Sequence, residues 1–398
     1  MKYLKTILTV GSILLVCVVS YFLFQPVFTY ALDWEPLPLS QETNNRTEGT
    51  DTATKLVDKL IQETFLKVNA PALSVAVGRN DSIVYTKAIG FAAIKKGIKA
   101  TPQTQFRIGS TSKAVTSLGL GVLLEQNKLR LDQTVGDFVP YASTALAKIT
   151  VEQLASHTSG IRNYGNCFCF PIWENLNTKQ YASIEESVSV FNTSDLLFEP
   201  GTDYSYSTYN FTLLSAVMES ASQMTFLDFM ENSVFKPLAI TEIRADFKDV
   251  TAENISLNYE VDGTSYKEAS PINNSNKWAG GGFIASSSGL VQLGNAAMNT
   301  SFLKKKTTAQ LFTPVPLKNG TMNSENYGLG WRIGTTTKVF ADGRDVKIMH
   351  HGGTAAGGTS VLILFPEYNL SISLLMNKSG SVSSLFEAAF KIAEVYAE

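Results

Sequence analysis

The chain is poor in the residue types that most often hold metals or staple a fold. Three cysteines and three histidines stand among 398 residues, and charged side chains make up only 17%. Three cysteines exclude a disulfide framework, and no second cysteine pair or carboxylate spacing completes a metal site. Cys167 and Cys169 are separated by one residue, a spacing that strains an intramolecular bridge, so they are assigned no role. An excess of positive charge is also missing. With 33 Lys+Arg against 35 Asp+Glu the formal net charge is −2, which leaves nothing to neutralise a phosphate backbone and excludes nucleic acid as the main partner. Internal repeats and low-complexity tracts are absent. Hydrophobic residues make up 44%, enough for the core of one large domain or two intimate ones.

Long apolar runs are absent except at the N-terminus. There Lys2 and Lys5 precede an uncharged run from Ile7 to Phe24, about 27 Å as a helix and close to the thickness of a bilayer core. It is longer than the apolar region of a usual secretory signal, and Thr29-Tyr30-Ala31 is a poor cleavage site, which favours an uncleaved anchor. Cys17 follows Val16 rather than a small residue, against a lipoprotein site. Lysines before the run, with Asp33 and Glu35 after it, orient the remainder to the extracytoplasmic side, the periplasm if the source is bacterial. The expected organisation is an anchor or signal segment over 1–31, a polar linker over 32–51 holding Pro36 and Pro38, and a globular domain over 52–398.

Within that domain an apolar stripe from Thr52 predicts a helix. Strands are predicted at Leu73–Val77 and Ser82–Ile89, joined by the turn Arg79-Asn80-Asp81. A helix from Ser110 to about Gln126 is apolar on nearly every side and so predicted to be buried all round. Strands return at Val346–Met349, Thr359–Phe365 and Leu370–Met376, before a closing amphipathic helix over Val382–Tyr396. Strands at both ends predict an α/β (α+β) fold whose sheet is made from the two chain ends. Residues 52–126 and 336–398 form its α/β part, and 127–335 an inserted, mainly helical part.

The chemistry is concentrated in three elements. Ser110 and Lys113 stand at the start of the buried helix, and residues three apart on a helix share a face. A serine hydroxyl needs a base within hydrogen-bond reach, and partial burial lowers an amine toward the working pH. Ser233-x-x-Lys236 and Ser301-x-x-Lys304 match the same spacing without a Gly turn before or a strong helical run after. The second element is Tyr206, delivered after Glu199-Pro200-Gly201 and just before a helix. Near a cationic lysine its phenol is partly phenolate or relays a proton to a leaving group. Tyr164-Gly165-Asn166 is a rival without that lead-in. The third is His350-His351-Gly352-Gly353-Thr354, where backbone approaches a ligand closely. The N–H groups of Gly353 and Ser110 are the candidate oxyanion hole. Solvated imidazoles on an edge-strand turn are the bland alternative.

These elements stand in a fixed order with Leu154-Ala155-Ser156-His157-Thr158-Ser159-Gly160-Ile161, Tyr327-Gly328-Leu329-Gly330-Trp331 and Phe365-Pro366-Glu367. Together they resemble the class C beta-lactamase and penicillin-binding-protein-like serine hydrolase family. Asn274-Ser275-Asn276-Lys277-Trp278-Ala279-Gly280-Gly281-Gly282-Phe283 and Tyr206-Ser207-Thr208 are similar to the branch that holds the mitochondrial serine beta-lactamase-like protease. The resemblance implies a beta-lactamase/transpeptidase-like fold, an antiparallel sheet flanked by helices with an inserted helical domain. It implies Ser110 as acylated nucleophile, Lys113 as its base, Tyr206 in proton transfer, and no cofactor. Thr208 stands where the family often has Asn, His350 where it often has Lys, and His351 where it usually has Thr. With Gly352 these are the expected substrate-binding positions, and their substitution turns recognition toward a peptide, ester or cell-wall fragment rather than an antibiotic. His157 is expected to serve folding. The alternative is a non-catalytic binding or scaffold protein that keeps the fold.

Overall fold

The computed structural model describes residues 2–38, 43–46, 52–166, 173–248 and 254–397; Cys167 and Cys169 lie outside them. Helix α1, Lys2–Ala31, runs the length of the predicted anchor, and its stretch Tyr3–Phe24 is long and apolar enough to cross a membrane and is not buried against the protein. Helix α2 is Thr52–Val68, and strands β1, Ala72–Arg79, and β2, Ser82–Ala93, follow as a hairpin. Asn80 and Asp81 both take positive φ at the turn, 49° and 65°, as the tight two-residue turn between twisted strands requires. Helix α3 is Ser112–Glu125, entered through a 3₁₀ turn at Gly109–Thr111. Helices α4, Thr208–Ser222, and α5, Ser287–Met298, come from the middle of the chain. The C-terminal part supplies β3, Arg332–Thr336, β4, Val346–Ala355, β5, Gly358–Phe365, β6, Leu370–Met376, and helix α6, Ser383–Ala397.

The main sheet runs β3-β4-β5-β6-β1-β2 and ends on Thr43–Arg46, with every neighbouring pair antiparallel. The two chain ends meet at β6 and β1, where Leu374 faces Val75 and Met376 faces Leu73. Both strands are buried throughout apart from Arg79, which suits their continuous apolar sequences. One face of the sheet is covered by α2 and α6, through Val57, Ile61, Leu385 and Ile392. The other is covered by α5 and the helical layer around α3 and α4, through Val115, Leu118, Leu214 and Leu290. Burying each such side chain stabilises the fold by about 1.5–3 kcal/mol.

Two boundaries differ from the expectation. The predicted linker is fastened to the domain: Glu35–Pro36 pairs with Ser265–Tyr266, and Thr43–Arg46 pairs with β2. Free main-chain groups on a sheet edge recruit any extended segment that reaches them, whatever its composition. The predicted insertion is narrower than 127–335, because α5 packs on the sheet and β3 is its outer strand. Apolar periodicity identifies an element's type and leaves open which surface covers it.

Candidate active site

Helix α3 carries its polar start into the core. Ser112, Lys113 and Thr116 are fully buried, and so are the apolar residues around them. Lys113 Nζ lies 3.3 Å from Ser110 Oγ, 3.3 Å from Thr208 Oγ1 and 2.6 Å from the carbonyl oxygen of Gly280. Burial pushes this amine well below its ordinary value, and the charges of Lys277 and Arg332 push it the same way. A neutral amine has two N–H groups and one lone pair. Were the amine unprotonated, Gly280 and Thr208 would accept the two and the lone pair would be left for the serine hydroxyl.

Tyr206 completes the cluster, its hydroxyl within electrostatic reach of Ser110. Its ring lies 4.7 Å from Lys113 Nζ. Burial pushes its hydroxyl up to about 12, against smaller lowering effects of Ser110 and Arg332. The expectation of a partial phenolate is therefore corrected: burial outweighs the lowering effects of Ser110 and Arg332, and Tyr206 is a phenol at neutral pH. The rival Tyr164 lines the same cavity as Ser110 and Thr208, with Lys277 Nζ 5.1 Å from its ring centroid. Ser233 and Ser301 are remote from this cluster in the fold, on the π turn Glu231–Phe235 and before the helix Lys305–Leu311.

Strand β4 continues through the His-His-Gly-Gly element instead of ending at Met349, and side chains alternate between its faces. His351 and Gly353 turn toward Ser110, whereas His350 and Gly352 turn away. The ring of His350 packs 4.9 Å from that of Phe386 on α6, and a Cβ on Gly352 would meet Val382 and Phe386. The placement of His350 and Gly352 against substrate is thus corrected by the two-residue period of a strand. On the site face, a Cβ on Gly353 would fall 1.9 Å from the carbonyl oxygen of Ile108, so only glycine lets the strand approach the nucleophile's turn.

The oxyanion assignment shifts by one residue for a related reason. The β4–β5 hairpin closes at Ala355↔Gly358 around two residues, so this pair and Gly353↔Ser360 exchange main-chain hydrogen bonds. The N–H of Gly353 is spent in that ladder. The N–H of Thr354 points to the opposite edge, which β3 leaves uncovered because its pairing ends at Arg332↔His350. Ser110, in the first turn of the 3₁₀ segment, also has a free N–H. A cavity of about 410 Å³ opens at this edge, lined by Ser110, Thr208, Lys277, Gly281, Thr354 and Ala355 among others.

Aromatic and imidazole rings support Tyr206 from behind. Tyr327 Oη lies 2.8 Å from His351 Nε2, and His351 Nδ1 lies 2.8 Å from the carbonyl oxygen of Gly352. The carbonyl only accepts, so Nδ1 carries the proton and Nε2 accepts from Tyr327. Burial holds His351 well below its ordinary value and neutral. His157 stacks 4.3 Å from Tyr206 and 4.7 Å from Tyr327, and its Nδ1 accepts from Asn210 at 3.0 Å. The Tyr327–Trp331 segment packs on α3, where Trp331 Nε1 donates to Ser117 Oγ at 3.1 Å.

Lys277, Arg332, Tyr327 and the Gly280 carbonyl are site components that reading the sequence by role missed. Lys277 and Gly280 stood inside the quoted Asn274–Phe283 segment, but nothing local tells a buried lysine from a solvated one. Lys277 is almost fully buried, its Nζ donates to the carbonyl oxygen of Asn175 at 2.9 Å, and burial lowers it to about 8.

Comparison with known proteins bears on the family and the fold. Residues 55–397 match the family model described as Beta-lactamase. The chain is similar to the human serine beta-lactamase-like protein LACTB, mitochondrial, 26% identical over 78% of this chain and 72% of that protein. It is also similar to protein flp of Staphylococcus aureus strain N315, 24% identical over 83% of this chain and 64% of that one. Among solved structures, the penicillin-binding protein from Bacillus halodurans superposes with a TM-score of 0.69 at 22% identity, over 86% of this chain and 99% of that one. The D-amino acid amidase from Ochrobactrum anthropi SV3 does so with a TM-score of 0.72 at 16% identity, over 85% of this chain and 98% of that one. The antiparallel sheet flanked by helices is the beta-lactamase/transpeptidase-like fold expected from the sequence.

Proposed function

The chain belongs to the beta-lactamase family, and from that premise we propose that it is a membrane-anchored serine hydrolase that works through an acyl-enzyme on a peptide, ester or cell-wall-derived substrate. The observation that carries the reading is the buried Lys113 amine held 3.3 Å from Ser110 Oγ. Neutral Lys113 takes the hydroxyl proton as Ser110 Oγ bonds to the substrate carbonyl carbon. The N–H groups of Ser110 and Thr354 receive the negative oxygen that forms. Tyr206 gives its proton to the leaving amine or alcohol as the scissile bond breaks, and Lys113 returns the proton to Tyr206. Water then attacks the ester on Ser110, losing a proton to the same pair, which returns it to Ser110 Oγ as the acyl bond breaks and the acid departs. A base lowered by burial beside an acid raised by burial is the pairing such a sequence of transfers needs.

Two observations turn the reading away from antibiotics. The histidine facing the site is neutral and bonded at both nitrogens, so it offers no cation to a lactam carboxylate. The relatives include a D-amino acid amidase, which favours amide chemistry. Helix α1, with lysines before its apolar stretch and acids after it, supports an anchor with the domain on the extracytoplasmic side. Intact-protein mass spectrometry after exposure to a fluorophosphonate and a panel of acyl donors tests the function. The expected result is one adduct on Ser110, absent from Ser110→Ala. Equal labelling of that variant overturns the assignment, and ligand binding with no adduct from any donor favours the scaffold alternative.

A further inference from the structure

The cavity beside Ser110 has a side. Thr208, Gly281, Thr354 and Lys277 line it, and Tyr206, His351 and Arg332 do not. If Tyr206 protonates the leaving group, the leaving group occupies its side and this cavity receives the acyl portion. The inference therefore rests on the acyl-enzyme reading above.

Lys277 is the cation of this cavity, and it is poorly matched within the protein. It is only 6% exposed, at the turn that opens the short helix Trp278–Gly281. Among the described residues its one hydrogen-bond acceptor is the Asn175 carbonyl, and the face of Tyr164 lies beside it. Asp246 lies within electrostatic range but is engaged elsewhere, accepting from Arg107 Nε at 2.6 Å and from Asn274 Nδ2 at 2.7 Å. Glu260, also on the cavity wall, accepts from Ser379 Oγ at 2.7 Å and acts on Lys267 and Lys378 rather than on Lys277. A buried ammonium with N–H groups to spare is costly unless an anion meets it.

We propose that Lys277 receives a carboxylate carried on the acyl portion of the substrate, so that the preferred acyl donors are dicarboxylic half-amides or half-esters and peptides with an acidic residue on the acyl side of the scissile bond. The ammonium that serves this purpose is the predominant form at neutral pH, because its value stays near 8. A charge-assisted hydrogen bond in a desolvated pocket gives roughly tenfold to a hundredfold discrimination.

The test uses the full chain in detergent and two 4-nitroanilides of matched size, succinyl and butyryl. Wild type is expected to favour the succinyl donor by about 10–100-fold in kcat/KM. Lys277→Met should bring that ratio close to unity, and Lys277→Arg should keep it. If Lys277 serves only to depress the Lys113 amine, both donors slow together and the ratio stays, which overturns the proposal. A wild-type ratio at or below unity overturns it without any variant, so a folding failure of Lys277→Met does not shield it. Absence of any acyl adduct on wild-type Ser110 is the separate result that brings down the hydrolase reading and this one with it.

Discussion

The two faces of the central sheet carry similar helical cover and opposite chemistry. Under α2 and α6 the apolar core holds Val57, Ile61, Leu374, Leu385 and Ile392, and its buried cation, Lys87, is paired with Asp58 of α2 at 2.9 Å. Under α3 and α4 the apolar core is interrupted by Lys113, His157, Asn210 and His351, every one of them buried. The contrast narrows to a single peptide on β4, where His350 meets Phe386 and its neighbour His351 meets Tyr327. One face is arranged for stability. The other gives up stability to hold an amine well below and a phenol above their ordinary values, because the uncharged form of each is favoured by the same low dielectric.

That contrast breaks at Lys113 if anywhere. Lys113→Met is expected to lower kcat/KM by roughly 10²–10⁴-fold, measured on any acyl donor that labels wild type. Its stability should move the other way. Folding holds the amine well below its ordinary value of 10.5. Between the lowered value and 10.5 the unfolded chain binds a proton that the folded chain does not, so wild-type stability rises with pH across that window. In the variant this rise should vanish, which denaturation at several pH values checks. In the wild type, activity should fall as pH drops through the lowered value, since only the unprotonated amine accepts a proton. Tyr206→Phe comes next, with a loss of roughly 10²-fold in kcat for a poor amine leaving group and less for an activated phenol. Equal losses for both would deny Tyr206 its role as acid.

Smaller effects sharpen the two-sided picture. His351→Ala should lower kcat/KM by about tenfold, by releasing Tyr327 behind Tyr206. His350→Ala should leave kcat/KM within about twofold and cost about 1 kcal/mol of stability. If His350→Ala has the larger kinetic effect, the assignment of strand faces is wrong. Leu385→Ala, on the far face, should cost about 2–5 kcal/mol in denaturant unfolding with no change in the kcat/KM of the folded fraction.

Local signals in the chain were sufficient for much of this. The hairpin at Asn80-Asp81, the buried helix after Ser110 and the strands Thr359–Phe365 and Leu370–Met376 follow from turn residues and apolar period. Ser110, Lys113 and Tyr206 were legible because a helical spacing and a Pro-Gly lead-in are local patterns. His351 against His350, and Thr354 against Gly353, were not. Both choices depend on where the strand continues and on the pairing parity of a hairpin, and the paired glycines read equally well as a turn. Lys277 was hidden for a different reason, since its burial is produced by segments distant in sequence, Asn175 and Tyr164 among them.

By itself the order of residues determined the element types, the serine with a lysine one helical turn away, and the apolar terminal helix, because each is written in spacings shorter than about two helical turns. Only the tertiary structure decided which amide of Gly353 and Thr354 the hairpin ladder leaves free, which histidine faces Ser110, and that the amine at 113 is pushed well below its ordinary value. Those properties arise from strand parity and from desolvation, and both are set by neighbours that the chain brings together only when it folds.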